Sequence, residues 1–131
     1  MKKIVLICPS LRAGGSERVI SELANYWSKN ALLEIYLILL TNQKQFYSID
    51  PRVHIITPKH NYKKTFLSKS LFKFRTLFFI RSSCFKIQPE SILSFNERYN
   101  NIVLLALIGL KFKVYVSDRN NPFMKIGILH N

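Results

Sequence analysis

Acidic residues are scarce in this chain of 131 residues, in which 7 Asp and Glu stand against 20 Lys and Arg and give a formal net charge of +13. The imbalance is uneven, since residues 51–89 contain no acidic side chain at all. Net charge indicates partners rather than fold, so we expect a negatively charged partner. Anionic lipid head groups and phosphorylated substrates both fit. Nucleic acid is disfavoured because the sequence has no nucleic-acid-binding motif.

Cysteines and long apolar runs are also few. Cys8 and Cys84 are far apart and lack the spacing of a metal or redox site, so we predict reduced, buried thiols in a cytoplasmic protein and no metal site. The first apolar run breaks at Pro9, which is too early for a signal peptide. The longest run, residues 102–110, falls well short of the roughly 18 residues of a membrane-spanning helix.

The apolar residues that are present follow the patterns of strands and helices in alternation. Short apolar runs predict strands at residues 3–8, 32–40, 53–56, 91–95 and 112–116. Helical spacing follows Ser16, a predicted N-cap, and returns over residues 62–85 and 100–110, the last apolar on nearly all sides. We therefore predict an α/β fold, a Rossmann-like parallel sheet flanked by helices, as a single domain over residues 1–131.

Three polar clusters follow predicted strands, at residues 14–18, 96–100 and 117–121. Ligands of parallel sheets gather beyond the carboxyl ends of the strands, where these clusters are expected to converge. Gly14 and Gly15, with Ser16, precede a helix start that suits a phosphate, because glycine permits positive φ and close backbone approach. Arg98 and Arg119 would add a bidentate phosphate clamp. The glycine pair alone is a weak signal and is also typical of an empty turn.

The segment over residues 62–85 predicts a basic amphipathic helix. Its apolar face would carry Leu67, Leu71, Phe74, Phe78 and Phe85, with Leu77, Ile80 and Cys84 beside it, and Lys69, Lys73 and Thr76 on the other side. The cations are either the solvated side of a helix packed on the sheet or a surface for anionic lipid. The candidate membrane-surface residues are Lys63, Lys64, Lys69, Lys73 and Arg81.

The three clusters resemble motifs of the N-terminal domain of family 4 glycosyltransferases, which are retaining enzymes of the GT-B fold. The resemblance rests on Gly14-Gly15-Ser16-Glu17-Arg18, on Ser94-Phe95 with Arg98 and Asn100, and on Ser117-Asp118-Arg119-Asn120-Asn121-Pro122, where Asp118 replaces the usual Glu. These motifs occur in the family's order and span nearly the whole chain. The chain would then be equivalent to the N-terminal half of a GT-B enzyme.

The resemblance implies a domain that receives a saccharide or lipid-linked acceptor, facing a second domain that binds a nucleotide-sugar, here a UDP-sugar. Gly14, Gly15 and Ser16 would form the phosphate loop, and Arg18, Arg98, Asn100 and Arg119 would line the acceptor side. No cofactor beyond the donor substrate is implied. The donor domain has no counterpart in the 131 residues, so we expect no transfer by the chain alone, which could be a fragment, a remnant or half of a split enzyme with a separate donor-domain chain.

Two other functions remain open from the residues. One is a peripheral membrane-binding module without transfer activity, attached to the inner face of the plasma membrane through the basic helix. The other is a small nucleotide-binding domain of another enzyme, which is disfavoured because the GxGxxG fingerprint and an acid for the ribose are both missing. The sequence assigns no catalytic residue.

Overall fold

The computed structural model of the protein describes residues 2–9, 15–41, 47–58, 66–95, 97–117 and 127–129. Every predicted strand and helix is present. In chain order the elements are β1 (Lys2–Cys8), α1 (Gly15–Ser28), β2 (Leu33–Leu39), β3 (His54–Ile56), α2 (Phe66–Ile87), β4 (Ser91–Phe95), α3 (Glu97–Ala106), β5 (Lys113–Ser117) and β6 (Gly127–Leu129).

The strands form one sheet in the order β3-β2-β1-β4-β5-β6. The first five strands pair in parallel, while β6 runs antiparallel to β5 with Tyr115 opposite Ile128. This sheet confirms the predicted α/β, Rossmann-like single domain. The strand β6 was not predicted, because 3 residues are too few to show a periodic pattern and its pairing with β5 depends on the tertiary fold.

Helices cover both faces of the sheet, and β1 shows the two faces clearly. Val5 and Ile7 belong to the core cluster that contains buried residues of α2 and α3, whereas Leu6 and Cys8 belong to the cluster that contains buried residues of α1. All four side chains are at most 3% exposed. Because successive side chains of a strand point to opposite faces, a strand buried on both sides has a continuous apolar sequence, as residues 4–8 have.

The described residues that lead into β3, at positions 47–53, contact the α1 face. The Asn25 amide of α1 donates from Nδ2 to the Ser48 carbonyl (2.9 Å) and accepts at Oδ1 from the Asp50 backbone N–H (2.7 Å). Ile49 between them packs against the α1-side core. Both carboxylate oxygens of Asp50 also accept hydrogen bonds from the Arg52 guanidinium, at 2.9–3.0 Å. These hydrogen bonds lower the pKa of Asp50 to about 2.

The predicted orientation of α2 was wrong. Thr76 (5% exposed), Ile80 and Cys84 (both 0%) face the core, whereas Phe74 and Phe78, assigned to the apolar face, are 70% and 75% exposed. Several apolar faces are possible on a helix with hydrophobic residues on most sides, and packing against the sheet and α3 selects one of them. None of the helices in the described part of the chain combines the length and the apolar character that a membrane span needs.

The last predicted helix begins earlier and is less buried than expected. α3 starts at Glu97 rather than Asn100 and ends at Ala106, and a turn follows in which Gly109 has a φ of 83°. Leu105 is 59% exposed, so the helix is not buried on all sides, and Ile108 in the turn is 57% exposed. A left-handed glycine just beyond a helix is a common way to end it.

Candidate functional site

The carboxyl ends of the parallel strands meet at one edge of the sheet. The central strand β1 pairs with β4 in a register that places Ile7 opposite Ser94, and β4 ends with Phe95 opposite Ser117 of β5. After β1 the chain passes through α1 to β2, whereas after β4 it passes through α3 to β5 on the other side. The strand order therefore reverses between β1 and β4, which is where ligands of open α/β sheets bind.

Two helices begin at this edge, one on each face of the sheet. α1 starts at Gly15, after the end of β1, and α3 starts at Glu97, two residues after β4 ends at Phe95. The first turn of a helix has backbone N–H groups without partners inside the helix, and its dipole adds a partial positive charge. The gap between β1 and β4 is therefore flanked by two helix starts that favour an anion.

Gly15 is exposed, and a Cβ placed on it would meet no atom within 4 Å. Among the described residues the glycine with positive φ is Gly109, so the expectation that a left-handed backbone is needed does not apply to Gly15. The surface beside the Gly15 backbone is therefore open. Gly14 lies outside the described residues, and Ser16 is the second residue of α1 rather than the predicted N-cap.

The predicted acceptor-side residues are only partly described. Arg18 is exposed on α1 and donates from Nε to Glu22 Oε1 at 3.2 Å, one turn further along. Arg98, predicted at the tip of β4, and Asn100, predicted at the helix start, both belong to the first turn of α3, and the structure describes their backbone but not their side chains. Arg119 lies outside the described residues. Helices α1 and α3 thus both begin at the carboxyl edge of the sheet. The phosphate clamp formed by Arg98 and Arg119 stays a prediction.

Two residues at this edge were not singled out by their chemistry in the sequence. The Pro9 carbonyl accepts hydrogen bonds from the Leu40 N–H (3.1 Å), the Thr41 N–H (3.0 Å) and the Thr41 hydroxyl (2.9 Å), which tie the exit of β1 to the end of β2. Ser94 is 1% exposed, a buried polar residue one position before the end of β4. Proline marked the end of β1, but nothing in the sequence indicated its hydrogen-bond partners.

The predicted membrane-surface cations lie along or before α2. Lys63 and Lys64 are outside the described residues, and only the backbone of Lys69 is described. Lys73 is exposed. Arg81, also exposed, donates from Nη1 to the carbonyls of Ala106 (3.2 Å) and Ile108 (2.6 Å), so its guanidinium caps the end of α3.

A cluster of titratable side chains lies towards the amino end of β2, away from the candidate site. Glu34 Oε1 accepts the Tyr36 hydroxyl at 2.7 Å and lies 3.3 Å from His54 Nε2, and the Tyr36 and His54 rings stack with centroids 4.7 Å apart. Burial, with the hydrogen bond to Glu34 and its charge, raises the pKa of Tyr36 to about 12. Across the described part of the chain, no group of three His, Cys, Asp or Glu could hold a metal ion.

Comparison with known proteins gives one informative similarity. No family model matches the chain. The chain is similar to the GalNAc-alpha-(1->4)-GalNAc-alpha-(1->3)-diNAcBac-PP-undecaprenol alpha-1,4-N-acetyl-D-galactosaminyltransferase of Campylobacter jejuni, at 27% identity over 121 residues. The match covers 92% of this chain and 33% of the relative, so the chain spans about a third of the relative's length. A homologue of this chain is thus a glycosyltransferase whose name specifies a lipid-linked acceptor.

Proposed function

We propose that this chain is the acceptor-binding domain of a retaining glycosyltransferase of family 4 and GT-B fold. The reaction would transfer a sugar from a nucleotide-sugar, a UDP-sugar, to a saccharide or lipid-linked acceptor at the inner face of the plasma membrane. The observation that carries the proposal is the similarity to a glycosyltransferase over 92% of the chain. The relative's name specifies an acceptor with a diphosphate and a polyprenol, which favours a lipid-linked substrate here.

The carboxyl edge supplies a physical reason for the proposed roles. A departing nucleoside diphosphate gains negative charge, which correctly placed donors stabilise in the transition state. The start of α1 at Gly15 would provide such donors in the backbone N–H groups of its first turn, and the open space at Gly15 allows a phosphate to approach. Arg18, Arg98, Asn100 and Arg119 would hold the acceptor. The donor side would come from the rest of a longer protein or from a separate chain.

The alternative, a membrane-binding module with no role in transfer, is not favoured. The similarity to a transferase extends over strands on both sides of the gap between β1 and β4, because the match spans 121 residues, or 92% of the chain. A module that only binds lipid would not require polar motifs after three neighbouring strands. Attachment to a membrane remains compatible with transfer to a lipid-linked acceptor.

Reconstitution tests the proposal directly. The chain is co-expressed with the unmatched two thirds of the Campylobacter jejuni relative. That second polypeptide is intended to provide the binding site for the donor sugar. Transfer of labelled sugar is then measured from a panel of UDP-sugars to a membrane lipid extract. We expect product only when both polypeptides are present.

Two variants make the assay specific. Gly15→Val should abolish transfer, because the side chain fills the space beside the α1 start, whereas Lys29→Gln, exposed beyond the other end of α1, should leave it unchanged. An assembled pair that gives no product with any donor contradicts the enzymatic proposal. Normal turnover by Gly15→Val removes the glycine loop from the mechanism.

A further inference from the structure

The central strand β1 stays paired with one neighbour for longer than with the other. With β4 the pairing ends where Ile7 lies opposite Ser94. With β2 it continues until Cys8 lies opposite Leu39, and Pro9 beyond them is still hydrogen-bonded to the exit of β2. Because β1 lies between β2 and β4, its exit is held on the β2 side, and the gap between β1 and β4 opens after Ile7.

Three donors hold the Pro9 carbonyl against the exit of β2. They are the Leu40 N–H at 3.1 Å, the Thr41 N–H at 3.0 Å and the Thr41 hydroxyl at 2.9 Å. A carbonyl oxygen has two lone pairs, so these donors use its whole capacity to accept hydrogen bonds. The partial negative charge of this oxygen, which would repel an anion, is therefore directed at β2 and not at the gap between β1 and β4.

The Thr41 hydroxyl is the side-chain donor of this set. Thr41 follows β2, which ends at Leu39, and its side chain is partly buried. The backbone N–H and the hydroxyl of Thr41 reach the same oxygen, which fixes the χ1 rotamer of the side chain. A side chain without a hydroxyl would leave both backbone donors to Pro9 in place and remove this one hydrogen bond.

We propose that Thr41 is a positioning residue for the candidate site, an inference that rests on the transfer function proposed above. Its hydroxyl holds Pro9 on the β2 side and keeps the gap between β1 and β4 open for the diphosphate group of the nucleotide-sugar. Only five residues separate Pro9 from Gly15, the first residue of α1, so a shift of Pro9 also moves the approach to the helix start. Thr41 acts through Pro9 and not by contact with the substrate.

This role acts on the transition state more than on substrate binding. The leaving diphosphate gains negative charge during transfer, and donors at the start of α1 stabilise that charge only when they are held in place. An interaction that matters in the transition state changes kcat, whereas one that matters equally in the bound substrate changes KM. Loss of the Thr41 hydroxyl should therefore lower kcat and leave the KM for the UDP-sugar within about twofold of its original value.

Kinetics of the reconstituted pair test the role of Thr41. Thr41→Val has a similar shape without the hydroxyl, and we expect kcat to fall by about fivefold or more. Thr41→Ser restores the hydroxyl and should return kcat to within about twofold of the unmodified pair. The matched control is Thr57→Val, the same chemical change just after β3, two strands away from β1, and it should leave kcat and KM unchanged. Circular dichroism checks that each variant is folded.

A second measurement uses the chain alone and needs no transfer activity. The isotope-labelled chain is titrated with inorganic pyrophosphate, and binding is followed by NMR at the backbone amides of Gly15 and Glu17 in the first turn of α1. We expect Thr41→Val to weaken the affinity measured at these amides by about threefold or more, and Thr41→Ser to restore it. Thr57→Val should bind pyrophosphate as the unmodified chain does.

An active pair whose kcat is unchanged by Thr41→Val would overturn the positioning role and leave the transfer function intact. The role also fails if Thr41→Ser is as impaired as Thr41→Val, because the hydroxyl would then not be the cause, or if Thr57→Val has an equal effect. An inactive unmodified pair whose pyrophosphate binding still depends on the Thr41 hydroxyl would overturn the transfer function and support the positioning role. An inactive pair with no pyrophosphate binding at α1 would overturn both.

Discussion

Asn25 of α1 and Asp50 of the β2–β3 connection are joined by a hydrogen bond of 2.7 Å, from the Asp50 backbone N–H to the Asn25 Oδ1. The Asn25 Nδ2 donates to the Ser48 carbonyl in the same connection. One side-chain amide therefore provides hydrogen-bond partners for a backbone carbonyl and a backbone N–H of a segment without regular structure. The segment precedes β3, which has only 3 residues at the edge of the sheet. Asn25 thus connects the first helix to the strand furthest from the sheet centre on that side.

Replacing Asn25 with Ala should destabilise the fold. It removes both hydrogen bonds and leaves a partly buried N–H without its partner, which costs about 1–3 kcal/mol of unfolding free energy. Asn101→Ala, at an exposed position of α3, should change the unfolding free energy by less than about 0.5 kcal/mol. Urea unfolding followed by circular dichroism measures both, and equal values for the two variants would contradict the role given to Asn25.

Two glycines of the chain should respond differently to alanine. Gly15→Ala should leave the unfolding free energy unchanged or raise it by up to about 1 kcal/mol, because the Cβ meets no atom and alanine favours a helix. Gly109→Ala should lower it by about 1 kcal/mol, since its φ of 83° is unfavourable for a side chain. A loss of stability with Gly15→Ala in urea unfolding would show that the space beside it is needed by the fold itself.

Replacing Arg81 with Met should loosen the end of α3. Methionine keeps much of the apolar stem but removes the donors to the Ala106 and Ile108 carbonyls, at a cost of about 1–2 kcal/mol. Arg18→Met removes only an exposed pair with Glu22, one helix turn away, and should cost no more than about 0.5 kcal/mol. Hydrogen exchange of the α3 amides should increase selectively in Arg81→Met, and an increase confined to α1 would argue against the cap.

Alkaline unfolding should report on Tyr36. The fold raises the pKa of this hydroxyl from 10.0 to about 12, so between these values the unfolded chain loses the proton while the folded chain retains it. The stabilisation is complete below about pH 10 and is lost as the pH rises to about 12. As the pH rises from about 10 to about 12, the urea midpoint of Tyr36→Phe should fall less steeply than that of the unmodified chain. Tyr26→Phe, at an exposed position, should show the same fall as the unmodified chain.

Much of the fold follows from local patterns. The run from Ile4 to Cys8 is apolar on both faces because β1 lies at the sheet centre, and the helical spacing after Gly15 matches the buried Ile20 and Ala24 of α1. Parallel pairing of β1, β2, β4 and β5 was also predictable, since strands that alternate with helices require crossovers, whereas β2 and β3 pair in parallel with no described helix between them. The edge where the candidate site lies follows from that topology, because the carboxyl ends of parallel strands share one side.

The sequence predicted the sheet edge at which the candidate site would lie, and the site itself stays a prediction. The clusters after β1, β4 and β5 were expected to converge, and the registers that pair Ile7 with Ser94 and Phe95 with Ser117 bring those strand ends together. The roles of Gly15, Arg98 and Arg119 remain predictions. The hydrogen bonds that Pro9 accepts from Thr41 could not be inferred, because they join residues 32 positions apart in the sequence.

The sequence by itself determined the order of the first five strands and the three helices, and the excess of positive charge, since each depends on residue spacing or composition. Only the tertiary structure decided which side of α2 is buried, because a helix with apolar residues on most sides can pack in several ways. It selected Thr76, Ile80 and Cys84 for the core and left Phe74, Phe78 and Phe85 in solvent. The antiparallel pairing of β6 was likewise a tertiary result, since its 3 residues are ordered by hydrogen bonds to a distant strand.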